Sequence, residues 1–280
     1  MSKVWLITGA NRGLGLVFAE AALERGDKVA VGSRKIENLD SLKRQYGERV
    51  LPLALDVTDR DAVFKAVETA AAYFGRLDVV VNNAGYGLMG TIEEISEPQF
   101  RRQIEVNVFG VFHVVQAVLP VLRQQGSGHI IQISSIAGIG AFPGSGAYNT
   151  SKWALEAMSE ALAHEVKGFG IKVTLIEPGP FKTQWSTSSA VRAQPLPQYD
   201  AMRAGMAEMG KKIAACAGDP RATGPAILAI VDASEPPLRV FFGPAPLATT
   251  PMLYAQRLKT WQDWSHISCM EGMGNVFTVP

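Results

Sequence analysis

Short, almost uninterrupted apolar runs alternate along the chain with longer segments whose apolar residues recur every three or four positions. Val4-Trp-Leu-Ile7, Val29-Ala-Val31, Leu77-Asp-Val-Val-Val81 and His129-Ile-Ile-Gln-Ile133 are of the first kind. They lack the in-out alternation of a half-exposed strand, so they read as strands buried on both faces of a parallel sheet. This pattern predicts strands at residues 3–8, 28–32, 50–55, 77–82, 129–134 and 171–177, with a seventh at 238–242. The helical spacing predicts helices over 14–25, 59–74, 98–122 and 148–168, with Pro120 and Gly126 ending the third and Gly168 and Gly170 closing the last. The expected fold class is α/β, a doubly wound parallel seven-stranded sheet with helices on both faces.

Composition narrows the reading. With 280 residues, 47% of them hydrophobic and 19% charged, the chain can bury a large core, and no repeat, low-complexity run or Pro/Ser linker divides it. One domain spanning 1–280 is expected; Pro236-Pro237 and Gly243-Pro-Ala-Pro246 read as punctuation around the last strand. A formal net charge of +1 offers no electrostatic footprint for nucleic acid or an anionic membrane. Val106 to Leu122 is the most apolar stretch, but with Asn107, His113 and Gln116 inside it a buried core helix is expected rather than a membrane span. Cys216 and Cys269 provide no disulfide framework, and His113, His129, His164 and His266 have no metal-ligand spacing, so no metal is expected. The first residues run straight into a strand, from which a cytoplasmic location is expected.

Chemistry enters with Tyr148 and Lys152, four residues apart on a predicted helix and therefore on one face. A phenol ordinarily keeps its proton to a pH of about 10. A unit charge about 4 Å away, at an effective dielectric of about 20, contributes roughly 4 kcal/mol, enough to lower that value by about three units. The pair alone is weak, since a tyrosine beside a solvated lysine is common on amphipathic helices. Its weight comes from companions.

Thr8-Gly-Ala-Asn-Arg-Gly-Leu-Gly15 joins the first strand to the first helix, the context a phosphate-binding turn requires. Gly9 permits the turn, Gly13 lets backbone approach a pyrophosphate and Gly15 allows close helix–strand packing; Asn11, Arg12 and Leu14 complete the loop. After the second strand, Gly32-Ser33-Arg34 stands where a carboxylate would take a ribose 2′-hydroxyl, and a guanidinium favours a 2′-phosphate. With Arg12 as a second cation, NADP(H) is expected over NAD(H). Asp56, followed by Val57, ends the third strand where its carboxylate can accept from an adenine amino group. Asn82-Asn83-Ala84-Gly85 leaves room for a flat ligand at the fourth strand's carboxyl end. Ser135 follows the next strand, and its hydroxyl can donate to a carbonyl oxygen. Asn107 is an indifferent helix former in a helix interior. Pro178-Gly179, with Thr183 behind, forms a rigid turn able to hold a carboxamide.

In these motifs the chain resembles the short-chain dehydrogenase/reductase family, specifically its single-domain branch. The resemblance rests on Thr8 to Gly15, Asn82 to Gly85, the set Asn107, Ser135, Tyr148 and Lys152, and the Pro-Gly turn, all in family order; it fades after Trp185. It implies a Rossmann-like fold, Tyr148 as proton donor, and Lys152 lowering the tyrosine's pKa and binding the nicotinamide ribose. It further implies Ser135 orienting the carbonyl, Asn107 holding a relay water, and Arg34 marking the NADP(H)-preferring subgroup. Helices 98–122 and 148–168 would form a dimer contact, so a homodimer or homotetramer is expected.

Residues 181–215 carry large apolar bodies at Phe181, Trp185 and Tyr199 and read as a lid over the nicotinamide. Tyr86 and Phe142 would add to an apolar wall. The expected substrate is a small hydrophobic ketone, aldehyde or secondary alcohol. Beyond about residue 245 lies a C-terminal extension to 280, in which Leu258, Trp261 and Trp264 fall at helical spacing, a stripe expected to bury against the core or a sister subunit. Two other functions stay open on the same residues: a catalytically silent NADP(H)-sensing module, and an epimerase or dehydratase of the related extended branch. The first would have lost part of the tetrad; the second normally has a differently spaced glycine turn.

Overall fold

The structure, a computed structural model, describes residues 2–185 and 189–270. Seven parallel strands form one sheet: β1 (Val4–Thr8), β2 (Lys28–Ser33), β3 (Val50–Ala54), β4 (Val79–Asn82), β6 (Gly128–Ile133), β7 (Ile171–Pro178) and β9 (Arg239–Phe242). Their spatial order is β3-β2-β1-β4-β6-β7-β9. The order reverses between β1 and β4, and open sheets of this kind bind ligands in the crevice beyond the carboxyl ends at such a switch point.

Side chains alternate faithfully between two cores. Val4 and Leu6 of β1 join a first core with α3 (Arg60–Phe74), α5 (Gly110–Gln125) and α6 (Gly146–Val166). Trp5 and Ile7 join a second core with α1 (Gly13–Glu24), α2 (Asp40–Tyr46) and α8 (Thr223–Asp232). Burial on both faces explains why the strands look continuously apolar in sequence.

The helix predicted over 98–122 is a composite. It comprises α4 (Glu97–Ile104), a π-helical turn (Glu105–Phe109) and α5, running on through Pro120 to Gln125. Pro120 therefore does not end it. Pro120 and Gln116 are both exposed, so water can satisfy the carbonyl that proline leaves without an N–H partner. Gly126, left-handed at φ 66°, is the terminator. The 29-residue run is long and apolar enough to cross a bilayer by composition alone, but Val111, Val114, Val118 and Leu122 bury its inner face in the first core.

Three features were not foreseen. A two-stranded parallel ribbon, β5 (Leu88–Met89) with β8 (Val191–Arg192), ties the segment after β7 to the loop after β4. Next, α7 (Asp200–Ala215) follows, anchored where Glu94 accepts from the Leu196 N–H at 2.8 Å and pairs with Arg203. Finally, α9 (Pro244–Asp263) starts at the very prolines read as punctuation, with Pro244 in its first turn, and a one-turn α10 (Ser265–Ser268) follows. Its stripe is not buried in this chain: Leu258, Trp261 and Trp264 are 52%, 68% and 61% exposed. Residues 186–188 of the segment expected to be a lid and residues 271–280 of the extension lie outside the described residues.

Candidate active site

The crevice begins with the glycine turn. Gly9 and Gly13 have φ +66° and +59°, left-handed values that glycine adopts without strain. A Cβ at Gly13 would meet no heavy atom within 4 Å, so the backbone there is open to a ligand's approach. Gly15 is closed: a Cβ would lie 2.6 Å from the Gly9 carbonyl oxygen and collide with Asn83. Arg12 caps α1 without a side-chain hydrogen bond and its first turn holds no acid, leaving the amides and the positive dipole end for an anion. These features fit the diphosphate of a dinucleotide.

Asn83 has a more structural task than the sequence suggested. Its Nδ2 donates to the carbonyls of Thr8 (3.0 Å) and Gly9 (2.9 Å), clamping the glycine turn to the end of β4. The Thr8 hydroxyl accepts from the N–H groups of Asn83 and Ala84, both at 3.1 Å. Gly85 is exposed beside this clamp. At the end of β2, Ser33 Oγ accepts from the Lys35 N–H at 3.3 Å, whereas Arg34 and Arg12 are exposed. Asp56 Oδ1 accepts from the Thr58 N–H (3.0 Å) and hydroxyl (2.8 Å), with Val57 buried beside it. Arg102 stands 3.7 Å from Oδ2. Burial works against the Asp56 carboxylate, but the Thr58 bonds and the nearby Arg102 and Arg34 charges bring its pKa below the ordinary value.

Across the crevice, Ser135 caps a one-turn 3-10 helix (Ile136–Gly138), its Oγ accepting from the Ala137 N–H at 3.1 Å. The same hydroxyl hydrogen-bonds Tyr148 in the first turn of α6. Trp185 leans over the phenol with ring centroids 4.9 Å apart, and fills the space over Gly87, where a Cβ would lie 2.7 Å from the indole. Tyr148 is buried, and that burial pushes its pKa up to about 12 against the opposing Ser135 bond. The sequence argument expected the opposite direction. Desolvation is the cause, and Lys152 does not offset it: its ammonium donates to the Ile133 carbonyl at 2.6 Å and lies 5.8 Å from the Tyr148 ring centroid. Burial in turn lowers the Lys152 pKa to about 8, with Glu156 opposing the fall.

Asn107 sits in the π-helical turn, a local widening frequent at functional sites. Its Oδ1 accepts from the Tyr86 N–H (3.1 Å), while Nδ2 donates to the Tyr86 carbonyl (3.0 Å) and to Ser151 Oγ (3.1 Å). It thus locks the loop after β4 to α6, which explains the odd residue in that helix. Gln103 adds a donor to the same Tyr86 carbonyl and accepts from Leu88 N–H.

The remaining candidates separate. Pro178 ends β7 and Gly179 follows it, its N–H bonded to the Phe242 carbonyl at 2.9 Å and the space a Cβ would take filled by Pro246. Thr183 Oγ1 accepts from the Trp185 N–H at 3.3 Å, fixing the turn that presents the indole. Phe181 is turned away, its ring against Gly218 and Gly243 and the second core. Phe142 stands exposed on the rim. Asn149, overlooked in the sequence, holds the 137–142 loop: Nδ2 donates to the Ala137 and Gly140 carbonyls at 2.9 Å each, and Oδ1 accepts from the Phe142 N–H at 3.2 Å. Among the described residues, no group of three or more His, Cys, Asp or Glu side chains is arranged to hold a metal.

Residues 3–193 match the pattern that defines the short chain dehydrogenases. The chain is 46% identical over 246 residues to oxidoreductase BOA17 of Botryotinia fuckeliana, covering 87% of this chain and 90% of that one. It is 38% identical over 247 residues to a 3-ketodihydrosphingosine reductase of Bacteroides thetaiotaomicron, covering 86% and 88%. The solved short-chain dehydrogenase of Streptomyces avermitilis superposes with a TM-score of 0.89 at 37% identity, over 95% of this chain and 97% of that one. Sheet order, glycine turn and sequence agree, and the chain belongs to the short-chain dehydrogenase family of oxidoreductases.

Proposed function

We propose that the chain is an NADP(H)-dependent oxidoreductase acting between a hydrophobic ketone or aldehyde and the corresponding alcohol, with Tyr148 as general acid and base. The observation that carries this reading is the hydrogen-bonded Ser135–Tyr148 hydroxyl pair, buried under Trp185 and facing the same sheet edge as the open glycine turn. The nicotinamide, when bound, supplies or accepts the hydride. Ser135 holds the carbonyl oxygen, and Tyr148 gives that oxygen its proton or removes it. A phenol held to about 12 keeps its proton at neutral pH, which suits carbonyl reduction. For the reverse direction the Lys152 cation must stabilise the phenolate, and the same ammonium is placed to take a ribose hydroxyl. Asn107 positions the Tyr86 loop and supports the relay.

Arg34, exposed at the carboxyl end of β2 and close enough to bias Asp56, supports a 2′-phosphate and hence NADP(H), with Arg12 as second cation. The described residues of 181–215 act as a lid, with Thr183 fixing the turn before Trp185, the β5–β8 ribbon tying residues 191–192 to the loop after β4, and Trp185 as its inner face. An apolar wall of Trp185, Tyr86 and Met89 favours a hydrophobic carbonyl, in keeping with the lipid ketone in the name of the Bacteroides relative. Phe109, Phe112 and Trp153, large and exposed on the π-helical turn, α5 and α6, are suited to a homodimer contact. The test is NADPH consumption with a panel of aliphatic, aromatic and long-chain carbonyls. Turnover of hydrophobic ketones with NADPH favoured over NADH supports the proposal; no turnover of any carbonyl refutes it.

A further inference from the structure

The underside of α6 is polar where it meets the sheet. Eight of the nine buried side-chain nitrogen and oxygen atoms that lack a conventional partner among the described residues lie in one layer there. They belong to Asn82, Gln132, Ser134, Glu156, Ser159 and Glu177. The alternation of β4, β6 and β7 puts the strand members on the face of the first core, under α6.

Glu156 and Glu177 are the anomaly within this layer. Their relative exposures are 6% and 1%, and they flank one guanidinium with an Oε1 on each left without a hydrogen-bond donor. Ionised carboxylates only accept hydrogen bonds, so two of them cannot pair without a proton. One cation stands between them: Arg239 Nε is 3.0 Å from Glu156 Oε2 and 3.6 Å from Glu177 Oε1, while its Nη2 bonds Glu160 at 2.8 Å. The charged groups facing the pair are Lys152 and Glu160 from α6 and Arg239 from β9. Ser134, just past the end of β6, faces it as a neutral group, since a Cβ at Gly138 would touch both Ser134 Oγ (2.8 Å) and Glu156 Oε1 (3.1 Å). With Lys152 and Arg239 charged, Glu156 and Glu160 already balance the cluster, and a charge on Glu177 would be surplus in a buried site. Burial first, then the neighbouring Glu156, pushes Glu177 up to about 8. Burial also raises Glu156, but Ser134 and Arg239 hold it back.

We infer that Glu156 and Glu177 share a single proton, carried on Glu177, and that Glu156 is the counterion that keeps Lys152 charged, which makes Glu156 a positioning residue for proton transfer at Tyr148. The role toward Lys152 rests on the function proposed above; the shared proton does not. Lys152 loses its charge as pH rises through about 8, and Glu156 raises that value. Removing the Glu156 charge therefore brings the loss to lower pH. E177Q reproduces a protonated carboxyl's donor and leaves Glu156 ionised.

The first experiment needs no turnover: carbon-13 NMR of the full chain labelled at the glutamate carboxyl carbon, titrated from about pH 5 to about pH 10. One resonance should stay protonated through neutrality, ionise near 8 and vanish in E177Q. Complete ionisation of every glutamate by neutral pH overturns the pair. The second is the pH profile of kcat/KM for carbonyl reduction. E156Q should bring its alkaline limb down by about one unit or more, as expected for losing a charge one helical turn away, while E177Q keeps the wild-type limb. An unmoved limb in E156Q overturns the counterion role. If E156Q does not fold, E156D takes its place and should retain the limb, with a shifted limb counting against the role. If the wild-type chain turns over no carbonyl, the functional reading fails while the NMR titration still decides the pair.

Discussion

Replacing Trp185 with alanine uncovers the phenol on which the site turns. The indole lies 4.9 Å from the Tyr148 ring centroid and occupies the space over Gly87. Burial is the leading reason that Tyr148 is pushed from 10 to about 12, a rise equivalent to roughly 2.7 kcal/mol in favour of the neutral form. Taking away the indole lets water solvate the phenolate, so the W185A phenol should ionise about one to two pH units lower, with the Ser135 bond still in place. Ultraviolet difference titration of tyrosinate reads this directly, and a Y148F reference assigns the change among the six tyrosines. The linkage has a definite sign. The folded chain holds a proton that the unfolded chain releases near pH 10, so this contribution to stability is full below about 10 and is lost as pH rises to about 12. Chemical unfolding across that window should show the loss in wild type, a smaller one in W185A and none from this group in Y148F. W185A titrating like wild type would refute the argument that the indole keeps water from the phenol.

Three further expectations follow from other parts of the crevice. R34A should lower kcat/KM for NADPH by about 10-fold or more, the worth of a charge-assisted contact, and leave NADH little changed; equal effects on both would contradict the 2′-phosphate role. G15A forces a methyl toward the Gly9 carbonyl oxygen and Asn83, and should weaken NADPH binding, followed by nucleotide fluorescence, at least tenfold; binding at wild-type strength would contradict the account of the turn. N107A leaves the Tyr86 N–H without its acceptor and removes the tie to Ser151, while Gln103 still serves the Tyr86 carbonyl, and should cost on the order of 2 kcal/mol of unfolding free energy, together with activity; full stability by denaturant titration would show that the loop is held elsewhere.

The sheet, and the grouping of Ser135, Tyr148 and Lys152 near its carboxyl edge, were readable in sequence because each left a local trace. Double-sided burial makes the parallel strands continuously apolar, and the glycine turn has to sit between strand and helix. Asn107 was noticed as out of place, yet its bonds to Tyr86 depend on a π-helical turn, which has no sequence period of its own. Elements stabilised by distant partners were invisible. The β5–β8 ribbon is two residues long on each side and exists through pairing across a hundred residues of chain, and Glu94 anchors α7 over a similar gap. Prolines misled twice, because Pro120 is tolerated on an exposed helix face and Pro244 starts a helix. The direction of the Tyr148 shift was missed for a physical reason: spacing on a helix fixes proximity to Lys152, whereas desolvation depends on Trp185 closing over the ring from another segment.

The central claim is that Tyr148 exchanges a proton with the substrate oxygen, and the most direct measurement is single-turnover NADPH oxidation by Y148F with a hydrophobic ketone that the wild type reduces. The account predicts unchanged NADPH binding and a rate lower by about 10²- to 10⁴-fold, the usual worth of a positioned general acid. Oxidation at the wild-type rate would contradict it.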